Sequence, residues 1–187
     1  MPAPPVVAVA SCSLSQSSRS HRLALAAVAS VQSVGAKPEL VDLREWDLPI
    51  CDGGGSFDHP SVAALSSAIG RASAILISAP VYNYDLNAAA KNLVEMTGKA
   101  WVEKPVGFLC AAGGDRSYMS PIGFANSLMF DFRCLIIPRF VYCTRTDFDD
   151  DGTLGASLHE RVDALARTAV DLANALAWVK RNPGNGS

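Results

Sequence analysis

Six of the ten residues from Ser11 to Ser20 are serines, in the run Ser11-Cys12-Ser13-Leu14-Ser15-Gln16-Ser17-Ser18-Arg19-Ser20. Hydroxyls at that density, beside an arginine, can converge on one anion. The run also opens an alanine-rich segment, Arg19 to Ser33, with Leu23, Ala27 and Val31 on one stripe and Gly35 as a stop. That spacing predicts an amphipathic helix. A helix start adds unpaired N–H groups and a partial positive charge, which together suit a phosphate. A single serine there would read as an ordinary cap; six favour phosphate binding. What is missing narrows the kind of phosphate. Gly35 is the first glycine of the chain, so no G-x-G-x-x-G follows the first strand and a Rossmann-type dinucleotide site is disfavoured. G-x-x-x-x-G-K-[ST] is missing too, which leaves triphosphate and magnesium chemistry unsupported. A serine loop suits the single terminal phosphate of a mononucleotide.

A second stretch able to hold a ligand is Pro80-Val81-Tyr82-Asn83-Tyr84-Asp85. It follows the apolar run Ala74 to Ile77, which reads as a strand buried on both faces. Ser78-Ala79-Pro80 is expected to end that strand, since proline donates no ladder bond. From Leu86 the pattern turns helical, with Leu86, Ala90, Leu93 and Val94 on one face. The strand therefore delivers an aromatic amide loop to the C-terminal edge of a sheet, where open α/β sheets bind ligands. Tyr82 and Tyr84 either flank a ligand or pack at the strand end. Asn83 either shapes the turn or donates outward. A third loop, Gly113-Gly114-Asp115, ends the apolar run Pro105 to Ala111, and its glycines leave room for close backbone contact.

These loops require a scaffold, and the rest of the chain supplies one. Further strands are expected at Pro5 to Ala10, Glu39 to Leu43 and Cys134 to Cys143, the last interrupted by Pro138 and so bulged or at an edge. Further helices are expected at Pro60 to Gly70, Ile122 to Phe132 and Leu154 to Lys180, with a frayed tail from Asn182 to Ser187. Five strands alternating with five helices imply an α/β protein, a three-layer α/β/α sandwich around a five-stranded parallel sheet. No repeat or linker divides residues 1–187, so a single domain is expected. At 49% apolar the chain should fold, and a net charge of −2 offers nucleic acid or a membrane surface little attraction. Five cysteines, an odd count without C-x-x-C, point to a reducing, cytoplasmic setting. Cys110, Cys134 and Cys143 read as small core residues. His21, His59 and His159 share no motif, no metal-ligand cluster is visible, and they receive no role.

Residues 6–24 and 74–95 together resemble the NAD(P)H-dependent FMN reductases of the flavodoxin-like fold. The family's S-G-S-L-R-x-x-S-R-S loop corresponds to Ser11 through Ser20, with Cys12 at the glycine and Ser15 at the arginine. Its P-x-Y-N corresponds to Pro80-Val81-Tyr82-Asn83, its L-K-N to Ala90-Lys91-Asn92, and its glycine pair to Gly113-Gly114. Asp42-Leu43 with Leu48-Pro49 resembles its D-L…L-P stretch. The resemblance implies strand order 2-1-3-4-5, and FMN and NAD(P)H as cofactor and reductant. It also implies a small-molecule acceptor: free flavin, quinone, azo compound or metal ion. Ser11, Ser13, Ser15, Ser18 and Ser20, with Arg19, would then ring the FMN phosphate. Pro80, Val81, Tyr82, Asn83 and Tyr84 would line the ring, and Gly113, Gly114 and Asp115 its pyrimidine end. Arg116 would either meet the pyridine-nucleotide phosphate or stay a solvated charge. A homodimer or homotetramer is implied as well, for which the apolar face of Leu86 to Thr97 and Trp101-Val102 would be the surface. The flavin carries the redox chemistry itself, so no catalytic acid or base is expected. Two alternatives remain on the same fold: an electron carrier without reductase activity, and a flavin-free hydrolase or regulatory domain.

Overall fold

Three apolar runs form the centre of one parallel sheet: β1 (Val6–Ser11), β3 (Ala74–Tyr82) and β5 (Pro105–Ala111). The computed structural model describes residues 3–183. It places β2 (Lys37–Asp42) outside β1, and β6 (Leu135–Ile136) with β7 (Val141–Cys143) outside β5. Counting β6 and β7 as one interrupted edge, the order over five parallel positions is 2-1-3-4-5, as the resemblance implies. Five helices flank the sheet: α1 (Arg19–Ser33), α2 (Pro60–Arg71), α3 (Ala88–Thr97), α4 (Pro121–Phe132) and α5 (Ala156–Arg181). Among the described residues no helix is long and apolar enough to cross a membrane.

Strand period assigns the layers, because successive side chains leave a strand on opposite faces. Val7, Val9, Leu76 and Leu109 pack against Leu23, Ala27 and Val31 of α1 and Val162 and Leu165 of α5. Ala8, Ala10, Ile75, Ile77 and Phe108 pack the other way, on Leu65 and Ile69 of α2, Leu93 and Val94 of α3, and Phe124 and Leu128 of α4. Covering both faces makes the central strands apolar throughout instead of alternating. Fit under α5 is tight: a Cβ on Gly107 would lie 2.9 Å from both Leu165 Cδ1 and Leu76 Cδ2. Overpacking of that kind destabilises by about 1–3 kcal/mol. Cys110, Cys134 and Cys143 are buried in these layers, as expected of small hydrophobes.

Three expectations need correction. The central strand does not end at Ser78–Pro80; it runs on to Tyr82, with Pro80 paired to Ala111. Ser78 turns its carbonyl toward β1, taking the Cys12 N–H at 2.8 Å. Pro80, two residues on, faces the same way just beyond the end of β1, where no ladder donor is needed. Nor does Leu86 begin a helix: Asp85–Leu86 form β4, antiparallel to Val81–Tyr82, and α3 starts at Ala88. The last strand is interrupted at Pro138 on the sheet edge, as expected, with Arg139 at φ 63°. And the stripe Leu86, Ala90, Leu93, Val94, with Trp101, is buried within this chain's own core, so it leaves no spare surface for a second subunit. Of the expected tail, residues 184–187 lie outside the described residues.

Candidate functional site

The serine loop lies where β1 hands over to α1. Ser18 is the N-cap, extended at φ −82° and ψ 127°, and its Oγ accepts the His21 N–H at 3.2 Å. Its hydroxyl also lies 2.8 Å from that of Ser20. The N–H groups of Arg19 and Ser20, first in the helix, have no intrahelical acceptor and point out of its end. Ser13 Oγ accepts the Ser15 N–H at 3.3 Å and folds the loop back. Ser13, Ser15, Ser17, Ser18, Arg19 and Ser20 thereby line one cleft of about 330 Å³, whose opposite wall is Pro80 to Tyr82 and Ala111 to Gly113. The hydroxyls, the helix terminus and Arg19 all favour a dianion on that side of the cleft.

Ser11 is not part of that lining. It is fully buried and its Oγ lies 3.0 Å from His21 Nδ1. Beneath the loop, His21, Asp42 and Arg44 join it in one network. Arg44 Nε donates to both Asp42 oxygens, at 2.9 and 3.1 Å, and its Nη2 forms an ion pair with Oδ2 while lying against the imidazole. The Arg44 hydrogen bonds hold the Asp42 carboxyl below its ordinary range, against the opposing effect of burial. This network fastens the ends of β1 and β2 to the first turn of α1. His21 therefore has a structural place that sequence did not assign, and no local signal could have linked residues 11, 21 and 42. Cys12 points the other way, into the core; burial, then nearby Asp42, pushes its thiol up to about 12, so it is a packing residue rather than a thiolate.

Four further ties hold the site, none of them marked in the sequence. Ser78 Oγ donates to Ser20 O at 2.6 Å. Asn87, the N-cap of α3, donates Nδ2 to Cys12 O at 2.8 Å, and its own N–H reaches Pro80 O at 3.2 Å. That residue thus bridges the serine loop and the β3–β4 hairpin. It does so at the expense of its helix: its Oδ1 makes no capping bond and is buried without a partner among the described residues. Third, the Tyr142 hydroxyl holds the glycine loop, donating to Gly114 O and lying 2.8 Å from Ser117 Oγ. Asn92 serves as a clamp, its amide accepting from Cys51 N and donating to Pro49 O, both at 2.9 Å.

The ring-side wall is a two-residue hairpin. Val81 pairs with Leu86 and Tyr82 with Asp85, leaving Asn83 at φ 52° and Tyr84 at φ 62° as the turn. Two successive left-handed residues are the signature of a type I′ turn, normally Asn-Gly. Asn83 tolerates that region and makes no side-chain hydrogen bond among the described residues; Tyr84 is strained there. Tyr82 and Tyr84 are 57% and 67% exposed, which rules out the core-packing alternative. Asn83, Tyr84, Gly114, Asp115 and Arg116 border a second cleft, of about 410 Å³, which meets the first at Val81. The predicted loops therefore converge, with Ser11 alone turned beneath.

Comparison with known proteins agrees with this geometry. The profile of a family described as NADPH-dependent FMN reductase matches residues 5–146. Among solved structures, the chain is similar to FerB, a flavoenzyme NAD(P)H:(acceptor) oxidoreductase from Paracoccus denitrificans, at 20% identity and TM-score 0.75 over 91% of this chain and 98% of that one. It is similar to an oxidoreductase from Corynebacterium diphtheriae at 19% identity and TM-score 0.73, over 93% and 99%. It is similar also to the NADH:FMN oxidoreductase EmoB in its apo form, at 15% identity and TM-score 0.72, over 88% and 90%. At these identities the structural likeness establishes the fold.

Proposed function

The chain belongs to the NADPH-dependent FMN reductase family, and from that premise we propose that residues 1–187 act as one FMN-binding domain whose serine loop holds the flavin phosphate. One observation carries this reading: the serines and the α1 terminus share a cleft with Pro80 to Tyr82 and Gly113, and at Val81 it meets a second cleft bordered by Asn83, Tyr84, Gly114 and Asp115. Ser13, Ser15, Ser18, Ser20 and Arg19 hold the phosphate, and Ser17 joins them. Ser11 acts indirectly, through His21. Pro80 to Tyr84 support the ring, and Gly113, Gly114 and Asp115 approach its polar edge, where a Cβ on either glycine would meet nothing within 4 Å. The residues fit FMN: fixed donors at one end, flat walls and aromatics at the other. When bound, FMN supplies the hydride chemistry between NAD(P)H and the acceptor. The chain's residues bind and orient it; none at the cleft has to move a proton for that role.

A double Ser13→Ala, Ser18→Ala substitution should weaken FMN binding at least tenfold, about 1.4 kcal/mol, in a flavin-fluorescence titration. Unchanged affinity would overturn the cradle. Turnover with NADH or NADPH and a panel of free flavin, quinone, azo dye and ferric chelate, without a protein partner, separates an enzyme from an electron carrier. We place the protein in a reducing, cytoplasmic compartment because all five of its cysteines are free thiols. We also propose a homo-oligomer with a two-fold axis, through α4 in place of α3: Ile122, Met129 and Phe130 lie outward on one face, and Phe130 is 86% exposed. Light scattering at micromolar protein should give a multimer that Phe130→Glu dissociates; a monomeric parent would refute it.

A further inference from the structure

A groove of about 460 Å³ adjoins the cradle, sharing Ser17 and Arg19 with it. None of Pro80, Val81, Tyr82 or Gly113 borders this groove, so it leaves the cradle at its phosphate end, away from the ring. Its other walls include Arg22, Arg145, Phe148, Asp149, Asp150 and Gly152. Resting on the reading of the serine loop as the phosphate cradle, we propose that this groove is a subsite for an adenosine phosphate.

Each wall matches one part of that ligand. Arg19, Arg22 and Arg145 provide three positive charges for a second phosphate. Arg22 is fixed instead of waving in solvent: its Nη1 donates 2.7 Å to Gly152 O. That contact requires glycine, since a Cβ at Gly152 would fall 1.3 Å from the same nitrogen, and Gly152 sits at φ +81°. Asp147, on the same turn as Arg145, is taken by Arg161 at 2.9 Å. Arg145 has no salt-bridge partner among the described residues. Phe148 is half-buried, packs against the α1–α5 core and borders the groove, an aromatic side chain against which a purine can stack. The turn carrying it is fastened by Gly152 N–H to Asp149 O at 2.8 Å and by a bridge between Phe148 and Leu154.

Asp149 and Asp150 decide the class of ligand. Two carboxylates would repel a bare polyanion, but they accept hydrogen bonds from ribose hydroxyls. Phosphate, ribose and flat base together make an adenosine phosphate. Side-chain arginines here stand in for the glycine-rich backbone that a dinucleotide otherwise needs. Two ligands carry such an end: FAD, continuing from the flavin phosphate, and NAD(P)H.

The test uses the full chain with Arg145→Ala and, separately, Phe148→Leu, each checked for folding by thermal melt. FMN and FAD affinities are read by flavin fluorescence, and NADH and NADPH KM values on the FMN-loaded enzyme. FMN affinity should hold. A loss of FAD affinity of about tenfold in Arg145→Ala supports the subsite and identifies flavin as its source. A KM for NADPH or NADH raised about tenfold, with FAD affinity unchanged, supports it with the pyridine nucleotide as source. Changes under about threefold in every one of these readouts, in both variants, overturn the proposal. If they occur while the cradle serines still govern FMN binding, only the groove is lost. If the serine variant leaves FMN binding intact, the cradle fails and the adenosine phosphate subsite with it.

Discussion

The serine loop and the β3–β4 hairpin face each other across one cleft but are built on opposite plans. The loop is tied from below at its two ends: Ser11 to His21 and Cys12 to Asn87 and Ser78 at one, Ser20 to Ser78 at the other. Its functional atoms are backbone N–H groups and short hydroxyls whose positions the fold dictates. The hairpin has little beneath its turn and exposes two tyrosines on a left-handed backbone. One side of the site is thus preorganised for a fixed charge, which rewards rigidity. The other spends backbone strain to present aromatic surface where a ring can lie.

Substitutions can break this contrast, and the largest effect is expected at Asn87, where the two sides meet. Asn87→Leu strands the buried Cys12 carbonyl, and apo stability should fall by about 2 kcal/mol in denaturant unfolding, with FMN affinity falling too. Unchanged stability would mean the loop does not depend on that tie. On the hairpin the sign should reverse. Tyr84→Gly relieves the left-handed tyrosine and should raise apo stability by about 1 kcal/mol while weakening ring binding. Asn83→Ala should lose about 1 kcal/mol in apo and FMN-loaded melts alike, because its part is to tolerate the turn. A loss confined to the FMN-loaded form would instead make Asn83 a ring contact.

The smallest effect belongs to the network under the loop and appears only in acid. Asp42 titrates lower in the folded chain than when unfolded, so its contribution is complete above the ordinary aspartate value of about 3.9 and fades as pH falls through its folded value. Melting temperature followed from pH 6 down to about 2.5 should drop more steeply for the parent than for Asp42→Asn. Parallel curves would show that Arg44 does not govern Asp42.

Much of this was legible in the sequence because it is local. Continuous apolar runs marked the strands, period-3.6 stripes marked the helix residues that face the sheet, and alternation of strand and helix fixed the layers. Six serines before a helix marked the anion end, and Pro80 through Tyr84 marked the opposite wall. What the chain did not reveal depends on partners far along it. Ser11 sits in the serine run, yet strand parity turns its side chain under the loop to meet His21, which in turn faces Asp42. Pro80 looks like a strand breaker, but β1 has already ended beside it, so no ladder bond is lost. The stripe on α3 looked like an interface; α2, α4 and Trp101 cover it instead. Arg22 and Arg145 flank one groove only because α1 and the segment after β7 pack side by side at the same sheet edge. Hydrophobic periodicity tells a residue which way to face. Which distant residue it then meets is decided by how the helices close on the sheet.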